Sequence, residues 1–127
     1  MPLHEVQVTL QQMLDCALEI ESMMQGKTRE DLDHERMLNL SLVRLLEVIG
    51  EAANRVPLEI RGKYPGIPWF EIISLRHRLI HGYDMVDFGI LWNIVTQDIP
   101  PLVSILEKLG ERDRFINRSV DRSNGDS

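Results

Sequence analysis

Apolar residues recur at steps of three and four along most of this chain. Val6, Leu10, Met13, Ala17, Ile20 and Met24 trace one stripe and predict an amphipathic helix ending near Gly26. The short charged run from Lys27 to Asp33 reads as a turn. A second stripe, Leu38, Leu42, Leu45, Ile49, Ala52 and Val56, is flanked by Leu46 and Ala53. It stops at Pro57, because the residue before a proline disfavours the helical region. Gly50 interrupts that helix, where glycine costs about 1 kcal/mol relative to alanine. Its presence points to close approach there of another helix or of a ligand at Gly50-Glu51. Leu58 to Ile67 holds glycine breaks and Pro65 and reads as a connecting loop with up to one helical turn.

A further helix is predicted from Pro68 or Trp69 to His81, with Pro68 at its first position and Glu71 complementing the dipole in its first turn. The last long helix starts near Asp87 and carries Leu91, Ile94, Val95, Leu102, Ile105, Leu106 and Leu109. Pro100-Pro101 removes two backbone donors, so a kink or restart is expected there, and Gly110 is expected to close the helix. Residues 119–127 read as a disordered tail behind a domain spanning 1–118. No segment alternates strictly between apolar and polar. The pattern is that of an all-α protein, an antiparallel bundle of four to five helices.

Composition narrows the setting. A chain of 127 residues suits one domain with one core. No apolar run approaches the ~20 residues of a membrane span. Met1-Pro2-Leu3-His4-Glu5 lacks the basic and apolar regions of a signal peptide, and the single Cys16 cannot form an internal disulfide, so the cytoplasm is the expected location. The net charge of −6 is opposite to that of a general nucleic-acid binder. Any contact with RNA must therefore use a local basic patch, for which Arg76, His77, Arg78 and His81, with Arg61 and Lys63, are the candidates. Trp69 and Trp92 read as core anchors, the methionines as core and interface filler, and Cys16 as an inert apolar position.

The chemistry concentrates in Arg76-His77-Arg78-Leu79-Ile80-His81-Gly82-Tyr83. On a continuous helix, Ile72, Leu75, Arg76, Leu79 and Ile80 share one side, which puts a guanidinium in an apolar stripe. Such a group is costly unless an anion, a carboxylate or a partner subunit meets it. Gly82 supplies a helix stop after which Tyr83 swings back. Three bland or rival readings stand beside catalysis. Arg76 could form a buried ion pair with Glu47 or Glu51. His81 could simply interact with a helix C-terminus. His77 and His81, four residues apart on a helix, could share a zinc ion, although no third ligand is marked.

The spacing of Arg76, His81 and Tyr83 resembles the R-x4-H-x-Y signature of the HEPN ribonucleases, and more narrowly the HepT-like toxins encoded beside a minimal nucleotidyltransferase antitoxin. The resemblance is carried further by Ile49-Gly50-Glu51-Ala52-Ala53, by Ile67-Pro68-Trp69, and by the run from Val86-Asp87 to Ile99-Pro100, so that it covers about residues 3 to 110. One departure is His77, where that family usually has Asn or Asp. The resemblance implies a HEPN-type bundle that is homodimeric, and a type VII toxin–antitoxin system. It also implies a metal-independent endoribonuclease that needs no cofactor and leaves 2′,3′-cyclic phosphate ends. Arg76 and His81 would be catalytic, with His77, Arg78 and Glu51 supporting them or binding RNA. Tyr83 would accept AMP from the cognate nucleotidyltransferase, which silences the toxin.

Residue chemistry is compatible with these roles. Histidine titrates near working pH and can move protons. Arginine binds phosphate through a planar fork and stays charged. The 2′-hydroxyl of RNA supplies the nucleophile. Five residues on an ideal helix separate Arg76 from His81 by about 140°, so two motif helices facing each other in a two-fold dimer would be needed to pool the groups. The alternative of a different class is a non-enzymatic helical subunit that binds the nucleotidyltransferase, which the acidic surface favours.

Overall fold

Why the chain folds back on itself is set by two long amphipathic helices and the tight connection between them. In the computed structural model the backbone is described for residues 1–81 and 85–125, and side chains for 1–80 and 85–113. Helix α1 spans Leu3–Met24 and buries Val6, Leu10, Met13, Leu14, Ala17 and Ile20. Gly26 ends it at φ +75°, a left-handed conformation that glycine adopts without a Cβ penalty. The charged run expected to be a turn forms a short helix, α2, over Arg29–His34. Thr28 and Asp31 make a reciprocal capping box. The Asp31 N–H donates to Thr28 Oγ1 at 3.1 Å, and the Thr28 N–H donates to Asp31 Oδ2 at 2.9 Å. That T-x-x-D spacing was visible in the sequence and outweighs the run's polarity.

Helix α3, Arg36–Arg55, buries Leu38, Leu42, Leu46, Ile49, Ala52 and Ala53, while Leu45 stays half-buried. It ends where expected, with Val56 extended before Pro57. A single turn, α4, occupies Leu58–Arg61. Arg61 turns back to donate from Nε to the Val56 carbonyl at 2.7 Å and from Nη2 to the Asn54 carbonyl at 3.3 Å. It therefore satisfies carbonyls left open at the α3 C-terminus instead of joining a basic patch. Met23 lines one surface cleft with Leu38, and Gln12 accepts from Arg55 at 2.6 Å, so α1 and α3 run antiparallel.

The predicted helix from Pro68 to His81 is two short helices followed by a strand. Pro68 caps α5, Trp69–Ile73, and Ser74 at φ −87° and ψ 4° separates it from α6, Leu75–Leu79. Ser74 Oγ donates to the Phe70 carbonyl at 2.7 Å, competing with the backbone ladder at the break. Ile80–His81 form strand β1, paired antiparallel with β2, Met85–Val86, through Ile80↔Val86 and His81↔Met85. The Asp87 N–H then donates to the Leu79 carbonyl at 2.9 Å and ties the hairpin to the end of α6. The helix thus stops at Leu79, ahead of the expected stop at Gly82. Ile80 and Val86 are β-branched residues suited to pairing. Gly82, Tyr83 and Asp84 lie outside the described residues.

Helix α7, Phe88–Asn93, is capped by Asp87, whose carboxylate accepts from the Ile90 N–H at 3.0 Å. A π-helical turn spans Ile94–Asp98, and α8 runs from Ile99 to Gly125. The double proline produces this widened turn instead of a break, and Gly110 does not close the helix. The helical backbone is described past the expected boundary at residue 118, and residues 126–127 lie outside the description. Leu18, Ser22 and Met24 meet Val95, Thr96 and Pro100, while Gln7, Leu10 and Leu14 meet Leu106 and Gly110. The first half of α8 therefore packs antiparallel to α1.

The result is an all-α bundle with one core, in which Met13, Ile20, Leu42, Leu46, Ile49, Leu79, Leu91 and Ile94 are almost wholly buried. No described helix is long and apolar enough to cross a membrane. Gly50 explains how α5 fits. A Cβ there would stand 3.2 Å from the Ile72 carbonyl oxygen and 4.0 Å from that of Ile73, so the backbone of α5 occupies the space of a side chain. The expectation of a close helix approach at Gly50 holds. Gly50→Leu should lower the unfolding free energy by about 1–3 kcal/mol through overpacking, read as a lower midpoint in urea. An unchanged midpoint would show that α5 does not press on α3 at this point.

Candidate functional site

Gly50 lets α5 and α6 lie across α3, and the edge of that crossing is a small cleft. It has a volume of about 180 Å³ and is lined by Leu46, Glu47, Gly50, Glu51 and Asn54 of α3 and by Ile73, Leu75 and Arg76 from the α5–α6 segment. Arg76 and Glu51, two of the sequence-predicted site residues, are thereby brought to one place. Glu47, Glu51 and Asn54 stand at helical steps of four and three, so one face of α3 supplies the polar wall.

Arg76 is not buried. The break at Ser74 ends the continuous helix assumed in placing it on the apolar stripe. Ile72, Leu75 and Leu79 go into the core while Arg76 and His77 face solvent. A buried ion pair of Arg76 with Glu47 or Glu51 does not form. Those carboxylates are met by Arg44, whose Nη1 lies 3.4 Å from Glu47 Oε2 and 3.7 Å from Glu51 Oε1. Among the described residues Arg76 has no ion pair and no side-chain hydrogen bond, so its donors are available to an incoming anion. Burial of Arg76 in a single chain thus gives no reason for a partner subunit.

Arg78 points elsewhere, its Nη2 lying 3.4 Å from Asp98 Oδ2 of the π turn. His81 lies on β1, its backbone paired with Met85, and its side chain is outside the description. With His77 on α6 and His81 on a strand, the two are not one helical turn apart, so the zinc argument and the 140° divergence both lose their premise. Among the described residues no cluster of His, Cys, Asp or Glu could hold a metal ion. The expected role of Tyr83 falls on a residue outside the description.

Sequence reasoning missed Arg44, Asn54 and Asp98. Arg44 and Asn54 were legible, since Arg44, Glu47, Glu51 and Asn54 run at steps of three, four and three on one helix face. Asp98 was not, because its direction depends on a π turn. The other candidates are structural. Trp69 is half-buried and donates from Nε1 to the Tyr64 carbonyl at 3.1 Å, and Trp92 packs on the core. Burial, reinforced by Glu19 and Asp15, pushes the Cys16 thiol above its ordinary value, which keeps it protonated and a poor nucleophile.

The chain is similar to known proteins along most of its length. Residues 13–109 match the family described as Ribonuclease HepT-like. A Methanocaldococcus jannaschii protein named "Gamma-glutamylcyclotransferase and putative RNase" is 36% identical over 118 residues, covering 92% of this chain and 53% of its own length. This chain therefore spans about half of that relative. A "Putative RNase" of the same organism is 31% identical over 81% of this chain and 94% of its own. A "Probable ribonuclease HepT" of Thermococcus cleftensis is 40% identical over 63% of this chain and 73% of its own. No solved structure matches. The matched segment contains both the α3 wall of the cleft and the whole of Arg76–Tyr83, and the chain belongs to the HepT-like ribonuclease family.

Proposed function

We propose that the chain is the toxin of a type VII toxin–antitoxin pair, a metal-independent endoribonuclease acting as a homodimer. The observation that carries the reading is Arg76, exposed at the rim of the α3 cleft with no ion pair among the described residues. A free guanidinium in a chain of net charge −6 is a local anion site. Arg76 holds the scissile phosphate of RNA and stabilises the charge that develops on it. His81 takes the proton of the attacking 2′-hydroxyl or gives one to the leaving 5′-oxygen. The 2′-oxygen–phosphorus bond forms as the phosphorus–5′-oxygen bond breaks, leaving a 2′,3′-cyclic phosphate. Glu51, on the opposite wall, and His77, beside Arg76, are supporting groups.

A second copy is supported by an apolar groove next to the motif, about 620 Å³ in volume, between α5–α6 and the start of α8. Phe70 is 79% exposed at its edge, a solvent exposure that burial against another subunit would relieve. Two motif segments across such an interface would pool their arginines and histidines. Tyr83 is the acceptor through which a cognate nucleotidyltransferase silences the toxin. AMP on that phenol would add an anion to the motif and obstruct RNA by charge and bulk.

Arg76→Ala and His81→Ala should each lower RNA cleavage by about 10²-fold or more while leaving the helical content intact. Mixing the two inactive variants should restore part of the activity, since one site of a mixed dimer regains both groups. Absence of any recovery, with monomers in sedimentation, would remove the shared site. Normal cleavage by both variants would show that Arg76 and His81 are not the catalytic residues, whereas no cleavage by the wild-type chain would return it to the reading of a non-enzymatic partner of the nucleotidyltransferase.

Cleavage should persist in excess EDTA, because the motif supplies its own cation and proton-transfer group. A strict requirement for a divalent ion would overturn the mechanism.

Co-expression with the neighbouring nucleotidyltransferase should add AMP mass increments to the peptide carrying Tyr83, and Tyr83→Phe should abolish them. An unmodified peptide in a non-toxic complex would mean neutralisation by binding alone.

A further inference from the structure

The π turn in front of α8 has a consequence for the motif. Pro100 and Pro101 lack the N–H groups that an α-helix would direct to the carbonyls of Thr96 and Gln97. The chain closes a wider turn instead, with the Ile99 N–H donating to the Ile94 carbonyl. A π turn inserts one residue, which rotates α8 by about 100° relative to an uninterrupted α-helix. Ile94, Val95, Ile99 and Leu102 all remain buried with this rotation. Asp98 then comes to lie against α6, with Oδ2 3.4 Å from Arg78 Nη2.

That contact matters because α6 is weak by itself. It has five residues, is broken from α5 at Ser74 and passes directly into β1. A helix so short has no independent stability. Leu75 and Leu79 anchor its inner face in the core. On the rest of the segment, Arg78–Asp98 is the side-chain polar tie to another element among the described residues. The two arginines of the motif therefore differ. Arg76 is open at the cleft, whereas the charge of Arg78 is compensated across the apolar groove.

We propose that Asp98 is a positioning residue for the Arg76–His81 segment and acts through its ion pair with Arg78, so that Arg78 belongs to the scaffold and not to the RNA contacts. The proposal rests on the ribonuclease reading above for its catalytic consequence, but the tie itself can be measured without RNA. In the single chain the pair is half-exposed on both sides, so its removal should loosen the segment without unfolding the bundle.

The test uses the full chain with Arg78→Ala, Asp98→Ala, and the exchange Arg78→Asp with Asp98→Arg. Two quantities are read, the kinetics of RNA cleavage at several salt concentrations and the hydrogen exchange of the α6 amides in free protein. Each alanine variant should lower kcat about two- to fivefold, the range an exposed ion pair supplies, with KM and the salt dependence of RNA binding unchanged. Each should also speed exchange at Leu75–Leu79, and the charge exchange should recover both quantities. If Arg78→Ala instead reduces the salt slope of RNA binding by about 0.7, as loss of one phosphate contact would, and Asp98→Ala tightens binding, Arg78 is an RNA contact and the proposal falls. Unaltered kinetics and exchange in both alanine variants would also overturn it. Should the wild-type chain not cut RNA at all, the ribonuclease reading fails separately. Exchange that is restored by the charge swap would still uphold the tie, and exchange not restored would dismiss it.

Discussion

The close passage of α5 over α3 at Gly50 is the constraint on which the rest of the site depends. Helix interiors disfavour glycine by about 1 kcal/mol relative to alanine, yet here the missing Cβ is the space into which the Ile72 carbonyl fits, at 3.2 Å from where that atom would be. Any side chain would push α5 outward and carry Ser74, Leu75 and Arg76 with it. The cleft between Arg76 and the Glu47–Glu51–Asn54 face exists because two backbones meet without an intervening side chain. The small volume of Ala53, buried one turn along α3, fits the same close packing.

Electrostatics explains how an acidic chain can leave one guanidinium open to an anion. The net charge of −6 belongs to the chain as a whole, and exposed charges beyond about 10 Å are largely screened at ordinary ionic strength. What decides binding is the set of neighbours within a few ångströms. Arg44 occupies Glu47 and Glu51, Asp98 occupies Arg78, and Arg61 is spent on the carbonyls ending α3. Each of these groups has a partner of its own, while Arg76 has donors uncommitted among the described residues. A residue count would have placed several arginines in one basic patch, whereas hydrogen-bond geometry distributes them among separate tasks.

The motif segment also shows how far periodicity carries. The heavily apolar α1 and α3 keep closely to their predicted stripes, because a long helix averages its burial over several turns. Arg76, in a five-residue helix, does not. One break at Ser74 changes the phase by enough to turn a core-facing position into a solvent-facing one. The same limit applies at the double proline, where the missing donors were read correctly as a disruption. Whether they would yield a kink, a restart or a π turn depended on which register kept Ile94, Val95, Ile99 and Leu102 buried.

Sequence by itself determined the helical class, the C-terminal ends of α1 and α3, the close approach at Gly50 and the gathering of arginine, histidine and tyrosine in one short segment. Those features arise from local rules, namely side-chain periodicity, proline and glycine stereochemistry, and residue chemistry. It also carried two signals that polarity obscured, the Thr28–Asp31 capping box and the single polar face of Arg44, Glu47, Glu51 and Asn54. Only the tertiary structure decided that the motif helix ends at Leu79 and passes into a strand, that Arg76 faces a cleft while Arg78 meets Asp98, and that the carboxylates of α3 pair with Arg44. Each of these is a choice among near-equal local conformations. Such choices are settled by contacts between residues distant along the chain, whose energies no window of sequence contains.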